Sequence, residues 1–168
     1  MKKWFFLLLS LPVFLGSCNK SDENKCTYSD QVIVVPATEI TYLQNYITSN
    51  AIPATQDPSG IFYTIDNPGT GAKASVCSNI TVNYTGALLP GGSVFDSNTS
   101  AAGVSFVLGQ LIIGWHKGLP LIRSGGAITL YIPPTLGYGP YPRTDGNGNV
   151  IIPANSYLKF TISLLDVQ

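Results

Sequence analysis

From Ile61 to Leu164 apolar residues keep returning at every second position, and this alternation limits the fold more than any other feature of the chain. A period of two is the spacing of a β-strand with one buried face. In NITVNYTG, Ile80, Val82 and Tyr84 alternate with Thr81, Asn83 and Thr85; in VSFVL, Val104, Phe106 and Leu108 share a face. IFYTI at 61–65, AITLYIP with Ile128, Leu130 and Ile132, and YLKFTISLL with Leu158, Phe160, Ile162 and Leu164 repeat the pattern. The connectors PGTG, PGGS and DGNGN are made of turn residues and are too short for the crossover helix that parallel neighbours need, so the strands pair antiparallel. Only GWHKGLPLI interrupts the series with a helical candidate, with Pro120 near its beginning. The expected architecture is α+β, an antiparallel sheet with one short helix closing a side of the core.

A length of 168 residues suits one domain with extra sequence at its ends. Net charge is zero and only 11% of residues are charged, so nothing draws the chain toward nucleic acid or acidic polymers. The opening MKKWFFLLLSLPVFLGSC has two lysines, an apolar run from Trp4 to Leu15, and small residues before Cys18, the layout of an export signal over 1–17. The run falls short of the ~20 residues that span a bilayer. Leu15-Gly16-Ser17-Cys18 resembles a bacterial lipobox, which makes Cys18 a candidate lipid-bearing N-terminus. The protein is then expected to be lipid-anchored to a bacterial membrane outside the cytoplasm, on the periplasmic face or at the cell surface.

Residues 18–35 read as the tether, with NKSDENK its polar spacer. After Pro36, Ile40, Leu43, Tyr46 and Ile47 recur at helical spacing, predicting a helix from about Ala37 to Asn50 inside an N-terminal segment 36–56, packed on a domain spanning 57–168. Apart from Cys18 the cysteines are Cys26 and Cys77, an even number that fits either a disulfide or two unpaired thiols.

Four separate segments carry a resemblance. VNYTGALLPGGSVFDS, FVLGQLIIGWHKGLPLI, LYIPPTLGYG and VIIPANSYLKFTISLLDV resemble, in order and spacing, FKBP-type peptidyl-prolyl cis-trans isomerases from about Thr81 to Val167. SGIFYTIDNPGTGAKA upstream is similar to the lead-in strand of bacterial members. The resemblance implies an FKBP-like bent antiparallel sheet wrapped around one short helix, with an N-terminal helix added here and an apolar pocket for a proline ring. It makes Trp115 the pocket floor and places Tyr84, Phe95, Asp96, Ile112 and Tyr138 with it at the reacting amide. Phe106, Leu111, Ile151 and Phe160 complete the implied substrate-binding surface. The Ile112 N–H and the Tyr138 hydroxyl would bond peptide carbonyl oxygens, and Asp96 would face the twisted amide. Without the resemblance, Trp115, Phe106 and Phe160 read as core filling, and Asp96 as a turn stabiliser before SNTS.

The implied activity is acceleration of X-Pro bond rotation in exported proteins without a cofactor, by a monomer whose partners are proline-containing polypeptides. A non-catalytic module that binds proline segments, or a chaperone, is the alternative. His116, the only histidine, reads as an exposed residue on the first turn of the short helix, since no serine or cysteine constellation surrounds it. No metal, phosphate-loop or nucleophile signature appears. The chain departs from the family pattern at TSAAG, which lacks a basic residue, at Val104, at the long connector GPYPRTDGNGN, and at Ala154 in place of a second proline.

Overall fold

The computed structural model describes residues 26–168. The expected signal peptide, Cys18 and the spacer 19–25 lie outside the described residues. The elements run α1 (Ala37–Ser49), β1 (Thr55–Gln56), β2 (Phe62–Asn67), β3 (Asn79–Leu89), β4 (Val94–Asn98), β5 (Val104–Val107), α2 (Ile113–Gly118), β6 (Gly126–Ile132), β7 (Arg143–Thr144), β8 (Val150–Ile152) and β9 (Tyr157–Val167). Short 3-10 turns at Leu108–Gln110, Leu119–Leu121 and Pro134–Leu136 link them.

The main sheet has the order β1-β2-β6-β9-β3-β4, with β5 pairing the first half of β3 and β4 its second half, and every pairing is antiparallel. β7 and β8 form a separate hairpin. The alternation read from the sequence is the burial pattern of the long strands: Ile80 and Val82 on β3, and Leu158, Phe160, Ile162 and Leu164 on β9, are all buried. Register shifts at Thr81/Val82 and Gly86/Ala87 on β3 mark bulges, which bend a strand and strengthen its twist.

Both faces of the sheet are used. The larger core lies under α2, where Trp115 and Leu119 meet Ile80, Leu130, Ile132, Leu158 and Phe160. α1 covers the other face with Leu43 and Ile47 against Phe62, Leu89 and Tyr131, and Tyr42 stacks on Tyr157 at 4.0 Å. The amphipathic period after Pro36 therefore marks a helix whose apolar stripe is taken up by the chain's own sheet.

Two local expectations change. α2 is a single short stretch ending at Gly118, and Pro120 sits in the 3-10 turn that follows it. There proline's missing N–H removes no helical hydrogen bond. Residues 26–35, expected to be tether, instead lie along the body. Cys26 is disulfide-bonded to Cys77, with Cα atoms 5.6 Å apart, Asp30 pairs with Lys117 of α2, and Val35 is buried in the larger core. The polar composition that marks a spacer belongs to NKSDENK at 19–25 and does not extend into VIVV, where Ile33 and Val35 point inward while Val32 and Val34 face solvent.

Candidate functional site

Gly114 and Gly118 explain why α2 can lie so close to the sheet. A Cβ at Gly114 would meet Ile132 side-chain atoms at 2.6 Å, and one at Gly118 would meet Leu130 at 2.5 Å. Ordinary carbon–carbon contact is about 3.5–4.0 Å, so only glycine at both positions lets the helix settle on β6. That approach seats Trp115, 4% exposed, at the bottom of a recess.

Around the indole the strands contribute aromatic rings set edge to face. Phe160 from β9 stands 5.3 Å from Trp115 at 86°, Tyr84 from β3 stands 5.5 Å away at 81°, and Phe95 from β4 meets Phe160 at 5.6 Å and 83°. Such perpendicular pairs are the favoured aromatic geometry. Gly86 on β3 lies beneath Phe95 and Phe160, leaving room for both. The result is a cavity of about 210 Å³ lined by Tyr84, Asp96, Phe106, Gln110, Leu111, Ile112, Trp115, Tyr138 and Phe160. That is below the roughly 300–1,000 Å³ of drug-sized sites and suits one compact ring.

Polar groups sit at the rim. The Tyr84 hydroxyl donates to Asp96 Oδ2 at 2.6 Å, and burial, followed by the Asp96 carboxylate, pushes the Tyr84 phenol far above the usual tyrosine range. It therefore remains a donor. Burial likewise raises the Tyr138 phenol, against the pull of the Arg143 guanidinium, which lies 5.0 Å from the centre of the Tyr138 ring. The turn preceding Tyr138 is anchored from the opposite side of the sheet: the Glu39 carboxylate of α1 accepts from the Thr135 N–H at 3.0 Å and from its hydroxyl at 2.8 Å. Ile112 is the N-cap of α2, so its N–H stands at a helix start, where amides have no intrahelical acceptor.

The structure brings together Tyr84, Asp96, Phe106, Leu111, Ile112, Trp115, Tyr138 and Phe160. Phe95 stands behind Phe160 and does not line the cavity. Ile151 is 40% exposed on β8 and also stands outside the cavity, while its neighbour Ile152 is buried in the core. With strand alternation only one of two adjacent isoleucines can face inward. Gln110, which sequence reasoning missed, lines the cavity mouth; a lone polar residue in an apolar run carries no motif that would have singled it out. His116 is not exposed as expected but 6% accessible on α2, and its ring nitrogens lie near the Leu108 and Leu111 backbone without a well-aligned hydrogen bond. Burial lowers its pKa and keeps the ring neutral near pH 7, although the Leu108 and Leu111 backbone pulls the other way. Among the described residues no three His, Cys, Asp or Glu side chains gather as a metal site, and no helix is long and apolar enough to cross a membrane.

Chemically this is a mostly apolar recess with hydroxyl and backbone donors at its edge. It can hold an apolar ring and orient the carbonyl groups beside it. The family model described as FKBP-type peptidyl-prolyl cis-trans isomerase matches residues 71–165. A probable FKBP-type isomerase of Haemophilus influenzae is 41% identical over 111 residues, 66% of this chain and 44% of that protein. The outer membrane protein MIP of Legionella longbeachae is 39% identical over 112 residues, 66% of this chain and 46% of that protein. The chain thus spans a little under half the length of these relatives. The crystal structure of FkpA from Escherichia coli matches with a TM-score of 0.65 at 34% identity, covering 79% of this chain and 60% of that one. A peptidyl-prolyl cis-trans isomerase from Pseudomonas syringae pv. tomato matches at TM-score 0.65 and 28% identity, covering 81% of this chain and 98% of that one.

Proposed function

This chain belongs to the FKBP-type peptidyl-prolyl cis-trans isomerase family, and on that premise we propose that it accelerates rotation about X-Pro bonds in exported polypeptides, using the cavity over Trp115. The observation that carries the reading is the coincidence of a proline-sized aromatic recess with the Tyr84–Asp96 pair at its rim.

Rotation about a peptide bond meets a barrier of ~18–20 kcal/mol because resonance holds the amide planar. The uncatalysed X-Pro reaction takes tens to hundreds of seconds. Half-way through the turn that resonance is lost, and the carbonyl carries less separated charge than in the planar amide. An apolar site therefore disfavours the twisted amide less than the flat one, which water does not do. Trp115, Tyr84 and Phe160 would grip the ring, while the Ile112 N–H and the Tyr138 hydroxyl take carbonyl oxygens in the geometry of the twisted state. Asp96, held by the Tyr84 hydroxyl, would face the rotating carbonyl carbon. Each ~1.36 kcal/mol of preference for the twisted state is tenfold in rate. No proton transfer, covalent step or cofactor enters.

The lipobox and the outer-membrane name of the MIP relative support a lipid anchor on Cys18 and action outside the cytoplasm. Mass spectrometry of the mature N-terminus tests this. Because α1 spends its Leu43 and Ile47 stripe on the chain's own sheet, a monomer is the expected state. The decisive assay is exchange NMR or protease-coupled isomerisation of an Xaa-Pro tetrapeptide. Acceleration by wild type with a tenfold or greater loss in Trp115→Ala is expected, and a rate equal to the buffer rate would sink the enzymatic reading.

A further inference from the structure

Next to the proline recess lies a second cavity, of about 360 Å³, that shares Phe106 and Gln110 with the first. Its polar lining is Asn79, Thr81, Ser105, Gln110 and Gln168, and no charged side chain belongs to it. The Thr81 and Ser105 hydroxyls bond each other at 2.9 Å and the Gln168 amide donates to Asp166 at 3.0 Å, so among the described residues the Asn79 and Gln110 amides are the groups that offer a donor beside an acceptor. That is the complement of an extended polypeptide backbone, whose N–H and C=O groups alternate and carry no charge.

Gln110 is the divider between the two spaces, and it is not left to wander. Its Nε2 donates to the Tyr28 hydroxyl at 2.9 Å, leaving one N–H and the carbonyl oxygen unspent. Tyr28 is itself fixed. Its ring rests on Gly109, where any Cβ would overlap it, and Cys26, two residues earlier, is bonded to Cys77. Gly109 N–H in turn donates to the Val76 carbonyl at 2.8 Å, so the 26–35 strap, the 75–78 loop and the turn bearing Gln110 are joined.

We infer that the second cavity is a subsite for the extended backbone flanking the target proline, with Gln110 contacting that backbone and Tyr28 as the positioning residue that holds the Gln110 amide. The inference rests on the isomerase reading and extends it to substrate length. A short peptide would fill only the recess, whereas a longer one would continue over Gln110 and gain contacts remote from the rotating bond. Such contacts lower KM without raising kcat, since they are equal in the planar and twisted states.

The experiment compares the full-length protein on a tetrapeptide and on a ten-residue peptide with the same central Xaa-Pro, extended on both sides by uncharged residues. Wild type should show a KM for the long peptide lower by about five- to tenfold, the yield of one or two neutral hydrogen bonds, with similar kcat. In Tyr28→Phe, which keeps the ring on Gly109 but loses the hydroxyl, and in Gln110→Ala, the ratio of the two KM values should fall toward one. The double variant should be no worse than Gln110→Ala alone. A merely structural role would change both peptides alike and leave the ratio intact, which overturns the assignment, as does a wild-type ratio of one. If neither peptide is turned over, the activity reading has failed by itself. Calorimetric Kd values for the same two peptides then decide the subsite by the same ratio.

Discussion

Gly86 offers the most direct way to disturb the recess without touching its lining. It sits on β3 opposite Asp96 of β4 and Phe160 of β9. A Cβ built there would lie 2.7 Å from Phe160 Cε1 and 2.7 Å from Phe95 Cζ. Since carbon atoms rest at about 3.5–4.0 Å, each ring must yield by about 1 Å. Phe95 is half-buried and can swing toward solvent, but Phe160 is 3% exposed and stands edge-on to Trp115, so its free direction is into the cavity. Overpacking of this kind costs about 1–3 kcal/mol of stability, and a displacement of about 1 Å in a binding geometry costs up to about 10²-fold in rate. Gly86→Ala should therefore remain folded, with a lowered urea midpoint and with kcat/KM on a tetrapeptide reduced roughly 10- to 100-fold. Gly146→Ala is the companion, because a Cβ there meets nothing within 4 Å and neither quantity should move. A Gly86→Ala protein that loses stability yet isomerises at the wild-type rate would refute the claim that Phe160 shapes the working pocket.

Three other outcomes follow from the same geometry. Tyr84→Phe removes the 2.6 Å hydrogen bond to Asp96; a bond to a charged partner is worth about 1.5–3 kcal/mol, so kcat/KM should drop by roughly 10- to 100-fold, and a loss under about twofold would mean that Asp96 needs no holding. The pH profile should lack a tyrosine break. The folded Tyr84 pKa lies above its unfolded value of about 10, because of burial and then Asp96, so its contribution to stability is complete below that pH and lost as pH rises beyond it. Activity should accordingly hold flat up to pH 10 while the unfolding midpoint declines above it, and an activity fall centred near pH 10 would contradict this. Reduction of Cys26–Cys77, 51 residues apart in sequence, removes a cross-link worth up to about 4 kcal/mol in the chain-entropy account. The guanidinium midpoint should fall measurably with dithiothreitol and by the same amount in Cys26→Ser, and equal midpoints would show that the strap adds nothing to the folded state.

What could be read from the chain, and what could not, divides along the range of the interactions involved. The strands were legible because alternation is a local signal: Ile80 and Val82, or Leu158 through Leu164, announce their buried face without knowledge of their partners. α1 was legible for the same reason, its stripe of Leu43 and Ile47 being spaced for one helical face. Most pocket residues came from resemblance, since periodicity assigns Tyr84 and Phe160 to a core and says nothing of an opening. The strap was invisible. Nothing near Tyr28 points to Gly109 and Gln110 some eighty residues on, and the disulfide that holds it there was one of two open alternatives.

The harder lesson concerns side chains that are missing. The recess exists because Gly114 and Gly118 let α2 sink onto Ile132 and Leu130, and because Gly86 leaves the space that Phe95 and Phe160 occupy. A sequence displays Trp115 as a large residue in search of burial, but the depth at which it comes to rest is decided by atoms these glycines do not have. His116 was misread for a related reason. The lack of a serine or cysteine constellation argues against a catalytic role but says nothing about burial, and the neighbouring Lys117 spends its charge on Asp30 of the strap. With α2 pressed against the sheet by its glycines, the histidine is left in the interior as a neutral ring. Pocket depth and the direction of His116 are thus consequences of the close approaches at Gly114, Gly118 and Gly86, and the setting of Gln110 is a consequence of the one at Gly109 beneath Tyr28; an added methyl group at any of the four has to displace a neighbour from a distant segment of the chain.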